Sequence, residues 1–127
     1  MKWKFLSCLA VEAMHAEQLT RHGGAHGLRD LNALESALAR AEHKAPYGEP
    51  DVAELAAAYM FGLARNHAFV DGNKRAALAA SLTFLIINGF ELFVEFSVLY
   101  AFVIDVAAGE IDESGATAFF RDYIKPI

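Results

Sequence analysis

The run Ala76–Ile87 has only Ser81 and Thr83 as polar interruptions and stops at Asn88-Gly89. A helix that is apolar on every side must be enclosed by other elements. A bilayer span needs roughly 20 apolar residues, so this run is too short to cross a membrane. The spacing therefore predicts a buried helix from Gly72 or Asn73 to Asn88, acting as the spine of the fold. Such a spine needs neighbours that each offer one apolar stripe, and the sequence supplies them. After an extended Trp3–Leu6, Ser7 can N-cap a helix carrying Leu9, Ala13, Ala16 and Leu19 to about Arg21, ended by Gly23-Gly24. Beyond the glycine-rich stretch His22–Gly27, Asp30 can cap a second helix whose Leu31, Leu34, Leu38 and Ala41 share a face. Pro46, Gly48 and Pro50 break the chain, and Asp51 with Glu54 has capping-box spacing for a third helix bearing Leu55, Tyr59 and Leu63 to about Asn66. Phe90–Phe96 reads as irregular or extended, followed by helices over Ser97–Ala108 and Ser114–Ile124 with Gly109 between them. The expected fold class is all-α: a compact orthogonal bundle of about six helices around a central buried helix.

At 127 residues the chain fits a single domain over 1–127, and 55% hydrophobic residues exclude a disordered or solvating segment. A net charge of -5 argues against direct nucleic-acid binding, so any affinity for phosphate must be local. The lone Cys8 can form no internal disulfide, and Met1–Ala10 lacks the apolar core and cleavage site of a secretory signal. A cytoplasmic location without membrane attachment is expected.

The chemistry concentrates in Arg65-Asn66-His67-Ala68-Phe69-Val70-Asp71-Gly72-Asn73-Lys74-Arg75, which leads into the spine helix. The first turn of a helix leaves backbone N–H groups unpaired and partly positive, a ready seat for phosphate oxygens. Gly72 lets a ligand approach the backbone closely. Lys74 and Arg75 add positive charge from two directions, which suits a polyphosphate. Asp71 can N-cap the helix, but its carboxylate is also a hard oxygen ligand of the kind Mg²⁺ accepts, and the two roles compete. His67 can take a proton from an attacking hydroxyl. Asn73 can orient a phosphate or close the loop, and Phe69 is expected to plug the loop into the core.

This stretch resembles the signature H-x-F-x-D-G-N-K-R of the death-on-curing toxins, relatives of the Fic adenylyltransferases, with every specified position present. Gly23-Gly24, Gly27-Leu28-Arg29-Asp30, Leu34-Glu35-Ser36-Ala37-Leu38 and Asn88-Gly89 also look like family positions. The resemblance implies a toxin that uses ATP and Mg²⁺ to transfer phosphate to a protein hydroxyl, in the family's case a threonine of elongation factor Tu, stopping translation. It makes His67 the general base, Asp71 the metal ligand and Asn73 a phosphate-orienting group. Lys74 and Arg75 become the phosphate clamp, and with Gly72 and Asn73 they form the nucleotide contacts. Lys74 stands where Fic adenylyltransferases carry a small residue, and its bulk and charge fit a reversed ATP that presents its γ-phosphate. The alternatives are adenylyl transfer and a silent binding module. The resemblance further implies an antitoxin whose C-terminal helix covers the groove. Two positions depart from the usual pattern: Ala68 replaces a frequent proline, removing a backbone restraint, and Ala76 replaces a frequent threonine.

The remaining candidates read as structural. His22 and His26 flank a surface loop and lack a third ligand, and His43 is expected to be exposed. His15 on the first helix could line the pocket but reads more simply as a partly buried, hydrogen-bonded structural residue. Arg29-Asp30 could hold the glycine loop against the site but is expected to be simply a loop ion pair next to a helix cap, and Cys8 a small helix residue. The aromatic set Phe93, Phe96, Tyr100, Phe102, Phe119, Phe120 and Tyr123 is expected to be mainly core, with any exposed part forming a groove for a partner helix.

Overall fold

The computed structural model describes residues 3–127. Six α-helices follow one another among them: α1 Cys8–His22, α2 Leu31–Lys44, α3 Val52–Arg65, α4 Asn73–Ile87, α5 Phe96–Ala108 and α6 Glu113–Tyr123. A short 3-10 turn, Ala45–Tyr47, follows α2. Strands β1 Phe90–Leu92 and β2 Ile124–Pro126 pair antiparallel, with Phe90 opposite Pro126 and Leu92 opposite Ile124. The expectation of a helical bundle around a central buried helix holds, and none of the described helices is long and apolar enough to cross a membrane.

Side-chain caps set most helix starts. Ser7 Oγ accepts from Ala10 N at 3.1 Å and Asp30 Oδ1 from Ala33 N at 3.1 Å. Asp51 and Glu54 form the reciprocal box, with Glu54 N donating to Asp51 Oδ1 at 2.9 Å. Asp112 caps α6 by accepting from Gly115 N, so this helix starts at Glu113 rather than Ser114. It ends at Tyr123, because Ile124 leaves the helix to pair with β1.

The enclosed helix is α3, not α4. It packs against α2, α4, α5 and α6, and buries Val52, Ala53, Leu55–Met60 and Gly62–Ala64. Small side chains explain its centrality, since they let other helices approach closely on every side. At Gly62 a Cβ would lie 3.0 Å from the Ala37 carbonyl of α2, so a larger residue there would have to push the two helices apart by a few tenths of an ångström. Although α4 is apolar, it buries only the stripe of Ala76, Ala77, Ala80, Ser81, Phe84 and Leu85, and leaves Ile86 and Ile87 exposed at its end.

Three further expectations are corrected. The buried face of α1 is Val11, His15 and Leu19; Leu9 is 79% exposed, and Ala13 and Ala16 face solvent. Of the aromatic set, Phe102 and Phe120 are buried, and Phe119 stacks on Phe102 at 3.8 Å between centroids. Phe93, Phe96 and Tyr100 are exposed, because they lie on the outer side of the β1–α5 segment. Leu31 at the start of α2 is also exposed, while Leu34, Leu38 and Ala41 are buried as expected.

Candidate active site

The segment between α3 and α4 turns on an alternation of inward and outward residues. Ala68 and Phe69 are buried, while His67, Val70 and Asp71 face out. His67 adopts φ 52, the left-handed region that ordinary side chains avoid. It is the only non-glycine residue to do so among those described. Such strain persists only where the surroundings impose it. Here the neighbouring Ala68 is fixed twice, as its carbonyl accepts from Arg29 N at 2.8 Å and from Asp30 N at 3.0 Å. Those two bonds supply the restraint that a proline at position 68 would otherwise give. They also correct the expectation of an Arg29-Asp30 ion pair: the two residues hold the loop through their backbone amides, and no ion pair joins their side chains.

Asn73 closes the loop from the helix side. Its Oδ1 accepts from Phe69 N at 3.0 Å, and its Nδ2 donates to Phe69 O at 3.1 Å. Phe69 thereby plugs into the core as expected, stacked on the buried His15 ring at 3.7 Å between centroids and 9° between planes. His15 Nε2 donates to the Asp71 carbonyl at 2.6 Å.

Asp71 does not cap α4. The N-cap is Gly72 in the left-handed region, φ 77, and no side chain caps this helix start. The Asp71 carboxylate instead accepts from Gly72 N at 2.8 Å on Oδ1 and from Ala25 N at 3.3 Å on Oδ2. The Gly72 N–H first and then that of Ala25 hold this carboxyl below its ordinary value of 3.8; desolvation opposes them, and the charges of Arg75 and Lys74 add smaller lowering effects. The first amide within α4 to find a backbone acceptor is that of Ala76, bonded to Gly72 O at 2.9 Å. The amides of Asn73, Lys74 and Arg75 are thus left for whatever lies before the helix.

The glycine-rich stretch wraps this turn. Arg75 Nη1 donates to Gly23 O at 2.7 Å, and Val70 N donates to Gly27 O at 3.1 Å. Leu28 bridges Phe69 in antiparallel fashion. His22 and His26 are exposed within this stretch, and no group of three metal-ligating side chains occurs among the described residues. His43 is exposed, as expected.

All five motif residues expected to carry chemistry, His67, Asp71, Asn73, Lys74 and Arg75, line one cleft of about 600 Å³ together with Gly72. Its opposite wall is apolar, made by Leu78 of α4 and Tyr100, Val103, Ile104 and Ala107 of α5. A second depression of about 670 Å³ lies by Arg40, Lys44 and Glu113. Its two cations, Arg40 and Lys44, both pair with Glu113, Lys44 Nζ at 2.7 Å, and it contains no motif residue. His15 is the buried, hydrogen-bonded residue that the sequence suggested, but its bond to the Asp71 backbone and the contacts of the Gly23–Ala25 backbone were not foreseen. The signal available for His15 was its spacing of four from both Val11 and Leu19.

An uncapped helix start, an ionised carboxylate, two cations and an exposed imidazole on one cleft can bind an anionic group and deprotonate a hydroxyl beside it. Known proteins are similar to this chain in sequence and in fold. The chain is 34% identical over 110 residues to the protein kinase doc of Escherichia phage P1, covering 86% of each chain. It is 48% identical over 79 residues to the toxin Doc of Mycolicibacterium smegmatis, 60% of each. Its fold is similar to the N-terminal Fic domain of a VirB-translocated Bep effector protein of Bartonella quintana, a structure with bound ADP. The TM-score there is 0.51 at 17% identity, over 75% of this chain and 47% of the other, so the chain spans about half the length of that protein. Residues 5–85 match the Fic/DOC family, and the chain belongs to it.

Proposed function

We propose that this protein is the toxin of a toxin–antitoxin pair and transfers the γ-phosphate of ATP to a hydroxyl side chain of a protein, a threonine of elongation factor Tu. The observation that carries the reading is the uncapped start of α4, with the amides of Asn73–Arg75 unpaired and Lys74 beside them, on the same cleft as His67. A relative named protein kinase doc and a Fic-domain structure with bound ADP support the choice of a nucleotide as the anion.

In this reading the α4 amides and Lys74 hold the phosphate oxygens, whose negative charge they match in both ground and transition states. His67 accepts the proton of the target hydroxyl as its oxygen bonds to the γ-phosphorus. The bond from that phosphorus to the β–γ bridging oxygen breaks, and ADP departs. Asn73 keeps the loop closed so that His67 stays on the cleft, and one hydrogen of its amide remains for phosphate. Asp71 fits Mg²⁺: its exposed carboxylate is held ionised, and each oxygen takes only one N–H in the structure, leaving lone pairs for a cation that is otherwise ligated by phosphate and water. Mg²⁺ bound there would neutralise phosphate charge.

Lys74 supports phosphoryl over adenylyl transfer, because it places a long cation where only a small side chain would admit the α-phosphate in the other orientation. The test is incubation of the purified chain with Mg²⁺, elongation factor Tu and ATP labelled at either the γ or the α position. Label from the γ position alone is expected on the factor. Label from the α position overturns phosphoryl transfer, and no label from either overturns the assigned activity and target. The antitoxin is proposed to lay a helix along the apolar wall of the cleft.

A further inference from the structure

His15 is the one histidine the structure buries, 4% exposed, and the proposed chemistry makes no use of it. Its acceptor is a backbone carbonyl, which can only receive a hydrogen, so Nε2 must carry the proton. The carbonyl belongs to the peptide joining Asp71 to Gly72. The N–H of that same planar, trans peptide donates to Asp71 Oδ1 at 2.8 Å. Gripping the oxygen on one side therefore fixes the direction of the N–H on the other.

The grip is needed because Gly72, at φ 77, is free to take either hand, and the 71–72 peptide could otherwise rotate about its two flanking bonds. A rotated peptide would turn its carbonyl toward the Asp71 carboxylate and remove the hydrogen bond that carboxylate receives. It would also change the entry of the chain into α4, whose unpaired amides form the anion seat. A Cβ at position 72 would meet His15 Nε2 at an ordinary contact distance of 3.4 Å but press against Leu19 Cδ2 at 3.0 Å. The stack on Phe69 fixes the ring plane, and Phe69 is itself held at both backbone atoms by Asn73.

We propose that His15 is a positioning residue of the cleft: its Nε2–H, steadied by the Phe69 ring, locks the Asp71–Gly72 peptide so that the Asp71 carboxylate and the start of α4 face the ligand together. The role is structural in means and catalytic in consequence, and its catalytic part rests on the function proposed above.

Two substitutions separate the bond from the stack. His15→Phe keeps a ring against Phe69 and removes the donor; His15→Gln keeps an N–H at the Nε2 position and removes the ring. Hydrogen exchange is read by ¹⁵N NMR at the Gly72 amide, with the Met60 amide of the central α3 as reference. In His15→Phe, Gly72 exchange should accelerate about tenfold, the factor implied by losing one hydrogen bond of ordinary strength, with Met60 unchanged. His15→Gln should restore Gly72 toward the parent rate. Unchanged Gly72 exchange in His15→Phe, or acceleration of Gly72 and Met60 in step, overturns the proposal. In the transfer assay, His15→Phe should lower kcat and His15→Gln should recover it. If the parent chain transfers no phosphate, the assigned function fails while the exchange comparison still decides the role of His15. Should both variants fail to fold, the parent protein decides: ¹⁵N shifts of the His15 ring must show the Nε2–H form, and the opposite tautomer overturns the proposal.

Discussion

Arg75 reaches from the first turn of α4 to donate from Nη1 to the Gly23 carbonyl at 2.7 Å, so a cation assigned to phosphate also straps the glycine loop over the site. The loop can lie that close only because position 24 has no side chain. At Gly24, φ +124, a Cβ would stand 2.8 Å from Leu19 Cδ2, 2.9 Å from Asp71 Oδ2 and 3.2 Å from Arg75 Nη2. Gly24→Ala should therefore cost about 1–3 kcal/mol in urea unfolding and abolish transfer. Gly48→Ala is the control, because its φ of +136 brings the same backbone strain with nothing within 4 Å. It should lose comparable stability and keep full transfer at a temperature where it is folded. Equal transfer by both variants would sever the link between the loop and the site.

The left-handed backbone of His67 shapes how its chemistry should be tested. Asparagine tolerates φ 52 better than alanine and supplies no base at the imidazole position. His67→Asn should hold stability within about 0.5 kcal/mol of the parent, as exposed positions do. Transfer should fall about 10²–10⁴-fold, the usual contribution of a positioned general base. A stable His67→Asn protein with parental transfer would remove His67 from the mechanism.

Two carboxyls are held below their ordinary values, and they predict how stability responds to acid. Burial tends to raise Glu113 above 4.5, but hydrogen bonds from Lys44 and Arg40, together with their charges, more than offset it. Asp71 is lowered by the amides of Gly72 and Ala25. A depressed folded value means the unfolded chain takes up protons first as pH falls. The stabilisation is thus complete above the unfolded values near 4 and disappears as pH drops through the lower folded ones. Glu113→Gln should cost about 1 kcal/mol at pH 7, given its half-buried ion-pair network, and the difference should shrink as pH falls below the usual carboxylate range. Denaturant unfolding at a series of pH values measures it; a difference that grows toward low pH contradicts the sign.

What the sequence revealed and what it hid have the same physical origin. Caps at Ser7, Asp30 and Asp51 were legible because each acts within three residues, as the bonds to Ala10, Ala33 and Glu54 illustrate. The pairing of β1 with β2 was hidden because it joins residues over thirty positions apart, and three-residue strands leave no periodic signal. The centre of the fold was misplaced for a related reason. Hydrophobicity marks α4, but enclosure depends on how closely other helices can approach, and the small residues of α3 decide that. In the site, the motif placed His67 and Asp71–Arg75 on one cleft. Its support from α1 is the His15 side chain on the Asp71 carbonyl, and the glycine loop adds a carbonyl for Arg75 and an amide for Asp71; each bond joins a side chain to a backbone group more than forty positions away, which no local pattern marks.

The corrected face of α1 gives a direct check. Leu9→Ser should leave stability within about 0.5 kcal/mol, since Leu9 is exposed. Val11→Ala should cost about 1–3 kcal/mol, since Val11 is fully buried and its removal leaves a cavity. Thermal and urea unfolding of the two variants compare them directly, and equal losses would mean that α1 sits in another rotation about its axis.

Helix α5 carries Phe96, Tyr100 and Ile104 at intervals of four, all exposed, with Tyr100 and Ile104 forming part of the cleft wall. Phe96, at 69% exposure, stacks on Tyr100 with 6.0 Å between centroids and extends the apolar strip beyond the cleft. A helix seated on this strip would cover the cleft at one end and bury Phe96 at the other, using contacts spaced as a helix presents them. Phe96→Ser and Tyr100→Ser should each leave the unfolding free energy within about 0.5 kcal/mol, because neither residue supports the core. Each should weaken binding of the antitoxin encoded with the toxin at least tenfold, the loss expected from truncating one aromatic anchor. Calorimetric titration measures the affinity, and co-expression measures its consequence: growth arrest by the Phe96→Ser toxin should no longer be fully relieved by the antitoxin. Parental affinity in both variants would place the partner helix elsewhere on the molecule.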